Sequence, residues 1–208
     1  MNASDIKQLF SALAERFEKE KEQLGDLDAV LGDGDHGVSM ANGFSKANEA
    51  VKESDVEDVG QLFQNAGRAL MSGIGGASGP LFAMVLLELG KSTSNQSDLT
   101  LNSFREGITN AAAAVQRLGK AKRGDKTMLD VLLPVGEALQ SVSDLEDGLE
   151  QAAKVSKNAA EKTADLAAKK GRAQYVQGGG LGHPDPGATS LSIFFETFHQ
   201  VYKAKASA

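Results

Sequence analysis

Apolar residues recur along the chain at spacings of three and four. Ile6, Phe10, Leu13 and Phe17 form one such stripe in MNASDIKQLFSALAERFEKEKEQLG, the face of an amphipathic helix. The same period predicts helices over about Val38–Lys52, Val56–Met71, Ser78–Leu89 and Leu101–Leu118. The Ser78–Leu89 segment is apolar nearly all round and should be the most buried. Thr127 and Asp130 match a capping box and open a sixth helix, which Pro134 should kink. A seventh aligns Leu145, Leu149, Ala152, Ala159 and Leu166, with Lys169–Lys170–Gly171 as a basic last turn and glycine stop. The eighth covers about Gly187–Lys203. No stretch sustains the period-two alternation of a strand. The expectation is an all-α fold, residues 1–208 as a single domain of about eight antiparallel up-and-down helices.

Four segments interrupt this pattern: DAVLGDGDHG (28–37), SGIGGASGP (72–80), GKAKRGDKTM (119–128) and GRAQYVQGGGLGHPDPGA (171–188). They precede predicted helices two, four, six and eight. Alternate connections of an up-and-down array lie at the same end, so all four should meet at one rim.

Composition narrows the chemistry available there. A net charge of −6 argues against a nucleic-acid partner. It also means that an anionic ligand needs local help from metal or backbone N–H groups. With no cysteine, disulfides, thiolate catalysis and cysteine zinc sites are excluded. The N-terminal helix is charged, unlike a signal peptide, and PLFAMVLLELG is too short to cross a bilayer. No membrane role and a cytoplasmic location are expected.

Asp28, Asp33 and Asp35 crowd three carboxylates without histidine or cysteine spacing, a donor set for a hard cation such as Mg²⁺. Their charge would balance more than one ion. An EF-hand fails because Val38 and Phe44 occupy the required glycine and glutamate positions. The plainer alternative is a solvated turn. Gly32, Gly34 and Gly37 spell G-x-G-x-x-G, but no strand precedes them, which excludes a dinucleotide fold. The glycine-rich segment ahead of Ser78 is either a phosphate cradle at a helix start or a turn that permits tight packing. Lys120, Lys122, Arg123 and Lys126 beside Thr127 favour anions or simply face solvent. Arg172 is a candidate clamp on a transferring phosphoryl group, and His183 and Asp185 share its segment. His199 reads as structural. Metal, glycine N–H donors and an arginine together are the parts that phosphoryl transfer requires.

DAVLGDGDHG, GIGGASGP, GDKTMLDVLLP and GHPDPGATS, in this order and separation, resemble the nucleotide-binding L subunit of dihydroxyacetone kinase over essentially the whole chain. The resemblance implies an eight-helix antiparallel barrel binding ADP or ATP at one rim through two Mg²⁺ ions. It implies Asp28, Asp33 and Asp35 as metal ligands, and His36, Gly37, Val38 and Ser39 as nucleotide contacts. Ala77 and Ser78 would hold phosphate oxygens, and Gly119, Thr127 and Met128 would line the site. Arg172 would reach the phosphates, with Asp185, Pro186 and Gly187 closing over the nucleotide. It further implies a partner subunit of the DhaK type carrying dihydroxyacetone on a histidine, for which this chain has no length. In one branch of the family bound ADP is rephosphorylated by a phosphohistidine protein of the phosphotransferase system, the DhaM type. In another, ATP and ADP exchange freely. Competing readings are an ATP-dependent kinase subunit for a related triose, tetrose or fatty acid, a nucleotide-sensing module that binds a regulator, and a Ca²⁺-binding structural protein.

Overall fold

Asn2 opens the first helix with a reciprocal cap. Its side chain accepts the Asp5 N–H at 3.1 Å while the Asp5 carboxylate accepts the Asn2 N–H at 2.8 Å. The structure, a computed structural model, describes residues 1–74 and 78–206. Among these it has nine α-helices and no strands. They are α1 (Ala3–Lys19), α2 (Lys21–Leu31), α3 (His36–Lys52), α4 (Val59–Gly73), α5 (Ser78–Ser92), α6 (Leu101–Gly119), α7 (Leu129–Ala138), α8 (Leu145–Lys162) and α9 (Pro186–Ala206). None is long and apolar enough to cross a membrane.

The ninth helix comes from a bend in the first. Helical hydrogen bonds run through Glu20, from its N–H to Arg16 and from Leu24 back to it. The chain therefore bends and continues as α2, carrying Asp28 into a helical last turn where a loop was expected. Gly37 explains how closely α2 crosses α3: a Cβ there would strike the Lys21 carbonyl and the Gly25 nitrogen.

The other helices follow each other around a ring. α1 packs on α3, then α3 on α4, and so on through α9, which returns to α1. The interior is built on phenylalanine. All nine phenylalanines are almost wholly buried, and they form one connected set of ring contacts from Phe10 through Phe63, Phe198, Phe104, Phe195, Phe194 and Phe82 to Phe17 and Phe44. Phe17 and Phe44 stack at 4.3 Å, and most other pairs meet edge to face.

The eighth helix of the ring, α9, begins one residue before the expected start and runs three residues beyond the expected end. α8 stops earlier than its apolar period predicts, at Lys162. The Thr163 hydroxyl turns back to the Ala160 carbonyl at 2.5 Å and accepts the Asp185 N–H at 2.8 Å. The second bond ties the helix end to the segment that enters α9, twenty-two residues on. α7 passes through Pro134 and tightens into a 3₁₀ turn at Leu139–Ser141. At its start Asp130 accepts the Thr127 N–H at 2.9 Å, while the Thr127 hydroxyl accepts from Leu129 at 3.2 Å.

Phe194 touches Phe82, Phe195 and Phe198 at the centre of the ring network. Phe194→Ala should cost about 3–5 kcal/mol of unfolding free energy, read as a lower urea midpoint with helical circular dichroism retained.

Candidate functional site

The connections before α3, α7 and α9, together with the first turns of α5, line one cleft of about 720 Å³. The expected convergence on a single rim is therefore realised. The volume lies within the range of small-molecule sites.

One wall is acidic. Asp28, Asp33 and Asp35 each bring one carboxylate oxygen within 4.8 Å of the other two. Asp28 is fixed on α2, where its carboxylate accepts the His36 N–H at 3.2 Å and so joins the end of α2 to the start of α3. The chain then doubles back through Gly32 and Gly34. A Cβ on Gly32 would collide with the Asp28 carboxylate, and Gly34 has φ +77°. The glycines that imitate a dinucleotide motif thus serve to fold three aspartates onto one point. Arg172 reaches across from the 3₁₀ turn at Arg172–Tyr175 and pairs with Asp33. An all-oxygen set at this spacing fits a hard divalent cation.

His36 is buried, with its Nε2 2.8 Å from the Ser190 Oγ and its ring also bonded to the Pro186 carbonyl. Burial pushes its pKa down, against the pull of Asp28 and the Pro186 carbonyl. The neutral ring therefore pins α3 to α9.

The opposite wall is apolar, with Leu81 on α5, Val115 and Leu118 on α6, and Met128 before α7. The apolar period of α5 and α6 hid these residues among core positions. Ser78, Gly119, Thr127, Asp185, Pro186 and Gly187 also line the cleft. Ala77 lies outside the described residues. Gly37, Val38 and Ser39 do not line it; Gly37 is buried against α2 and Val38 is exposed. His183 is exposed and off the wall, and Lys120, Lys122 and Arg123 face solvent. Lys126 belongs to none of these surface groups, being buried and lining the cleft.

Asp185 closes the cleft beside α9. Its carboxylate accepts the Ala188 N–H at 2.8 Å. Burial raises its pKa to about 7, opposed by the Ala188 bond and by Lys126, and aided by Asp130 and Asp28.

The family model for the DAK2 domain matches residues 30–200. The ADP-binding subunit DhaL of PEP-dependent dihydroxyacetone kinase from Escherichia coli K12 is 39% identical over 184 residues, covering 86% of this chain and 88% of that protein. The ADP-binding subunit DhaL of PTS-dependent dihydroxyacetone kinase from Lactococcus lactis is 37% identical, covering 90% of this chain and 91% of that one. The dihydroxyacetone kinase of C. freundii, solved with AMP-PNP and Mg²⁺, shares the fold with a TM-score of 0.71 at 22% identity, over 93% of this chain and 33% of that one.

An acid whose folded pKa is raised favours folding fully below its ordinary range, and this contribution is lost as pH rises through the folded value. In metal-free, nucleotide-free protein, Asp185→Asn keeps the acceptor for Ala188 and removes the titration. The Tm of the variant minus that of wild type should therefore grow from about pH 5 to about pH 8, as measured by thermal melts across that range.

Proposed function

The chain belongs to the DAK2 domain family, and on that premise we propose that residues 1–208 act as the ADP-binding, magnesium-dependent subunit of a dihydroxyacetone kinase. In this reading the subunit takes a phosphoryl group from a phosphohistidine protein of the phosphotransferase system, the DhaM type. It passes the group by way of bound ADP and ATP to dihydroxyacetone held on a DhaK-type partner. The observation that carries the reading is the meeting of three aspartate oxygens within 4.8 Å at the wall of a nucleotide-sized cleft that Arg172 also lines.

Asp28, Asp33 and Asp35 are assigned to two Mg²⁺ ions, the number that the family resemblance implies. Bound Mg²⁺ neutralises phosphate charge and orients the transferring group. Arg172, paired with Asp33 here, is assigned to the phosphoryl oxygens once cations take over the carboxylates. Ser78, the first residue of α5, is assigned to phosphate oxygens, since N–H groups at a helix start favour anions; Ala77, outside the described residues, and His36 to Ser39 are assigned to the nucleotide by resemblance alone. Gly119, Thr127 and Met128 are assigned to the nucleoside side, next to the apolar wall, and Asp185 to Gly187 to the closing edge.

The exposed apolar residues support docked partners. Val30, Val38, Met71, Leu118, Tyr175 and Leu181 are the large hydrophobics exposed among the described residues. Each falls in, or within about one helical turn of, the four segments at the cleft. Apolar surface gathered around a site marks an interaction surface. The E. coli and L. lactis relatives, aligned over nearly their whole length, are ADP-binding subunits of PEP- and PTS-dependent kinases, which supports the phosphotransferase-coupled branch.

Purified, desalted protein should release near-stoichiometric ADP on denaturation, identified by chromatography. With a DhaK-type partner and a phosphohistidine donor it should phosphorylate dihydroxyacetone without added ATP. An empty protein that exchanges ATP freely and ignores the phosphohistidine donor would contradict the branch proposed.

A further inference from the structure

Lys126 is 1% exposed, the least accessible charged side chain among the described residues. A buried ammonium loses its hydration and is retained only with compensating partners. Its Nζ donates to the Leu166 carbonyl at 3.0 Å and to the Gly180 carbonyl at 2.7 Å. Burial lowers its pKa, while Asp185 and Asp165 hold it up.

Those two carbonyls flank one loop. The Ala168 N–H donates to the Gly179 carbonyl at 2.8 Å, closing a neck around the residues between them. Arg172 lies within that loop. Lys126 therefore binds the chain just before the neck and just after it, from a segment forty residues upstream of the first contact. Beneath the loop, Leu31, Ala168 and Ala173 form a small apolar cluster separate from the main core. Leu31 ends α2, three residues beyond Asp28, and Ala173 follows Arg172. The loop is thus fixed to the acidic wall on one side and to Lys126 on the other.

We propose that Lys126 is a positioning residue of this site, whose ammonium holds the neck of the 168–179 loop and so sets the reach of Arg172 toward the acidic wall. The proposal rests on the reading of the cleft as a Mg²⁺–ADP site. Methionine has similar length but leaves both carbonyls without their donor. Glutamine can still donate to one or both.

The test is Mg²⁺–ADP affinity by calorimetry for wild type, Lys126→Met, Arg172→Ala and the double variant, with hydrogen exchange followed in 168–179. Arg172→Ala and Lys126→Met should each weaken binding about tenfold, the effect of one lost charge-assisted bond, and the double variant by no more than about twofold beyond Arg172→Ala. Exchange in 168–179 should rise at least about tenfold in Lys126→Met, with α4 and α6 unchanged. Lys126→Gln should restore part of both, and carries the same test if the methionine variant fails to fold. Losses that multiply in the double variant would mean that Lys126 acts on the ligand directly, and would overturn the proposal. So would a Lys126→Met protein with wild-type affinity and exchange. A wild-type protein that binds no Mg²⁺–ADP would instead overturn the reading of the site.

Discussion

Asp28, Asp33 and Asp35 are held with one oxygen each inside 4.8 Å of the others, and ionised carboxylates at that spacing repel. The repulsion is about 1 kcal/mol per pair in water and about 3 kcal/mol at the effective dielectric of a protein surface. A free loop would relax by moving the charges apart. Here the relaxation is blocked. Asp28 is part of a helix, the His36 N–H holds its carboxylate, and Gly32 and Gly34 fix the return of the chain. Arg172 offsets part of the charge through Asp33. What remains is a wall whose natural complement is a divalent cation, and much of the surrounding architecture serves to keep it in place.

The barrel supplies that rigidity from the opposite end of the length scale. Six helices contribute to one phenylalanine network, so the ring of helices cannot slide without disturbing many contacts at once. The connections before α3, α7 and α9 and the start of α5 meet at one rim, and the neutral His36 ties the acidic wall to α9 through Ser190 and Pro186. The cleft therefore sits between fixed helix ends on the acidic and apolar sides, and a long, pinned loop on the third.

The convergence of four segments was legible from helix counting because the unexpected ninth helix does not reverse the chain. Glu20 is a bend with helical bonds running through it, so the parity of the connections survives. The end of α8 was not legible. Its apolar period persists to Leu166, but the helix ends at Lys162, where the Thr163 hydroxyl accepts the N–H of Asp185 from beyond a long excursion. Lys126 was equally hidden, since a lysine in GKAKRGDKTM looks like its solvated neighbours until the returning segment at 166–180 covers it. Gly37 carries a packing demand that its motif did not announce: it lets α2 pass across α3. Local chemistry was readable from residue types, and burial imposed by distant segments was not.

Nucleotide binding through divalent metal at the acidic wall, as proposed, is open to measurement. Its most direct test is equilibrium binding of ADP to nucleotide-stripped protein by calorimetry, with Mg²⁺ and with a chelator, for wild type and Asp33→Asn. Wild type should bind tightly in Mg²⁺ and lose at least about tenfold in affinity with chelator, and Asp33→Asn should show a comparable loss with helical content unchanged. Equal ADP affinity in Mg²⁺ and in chelator, or an Asp33→Asn protein that binds like wild type, would contradict it.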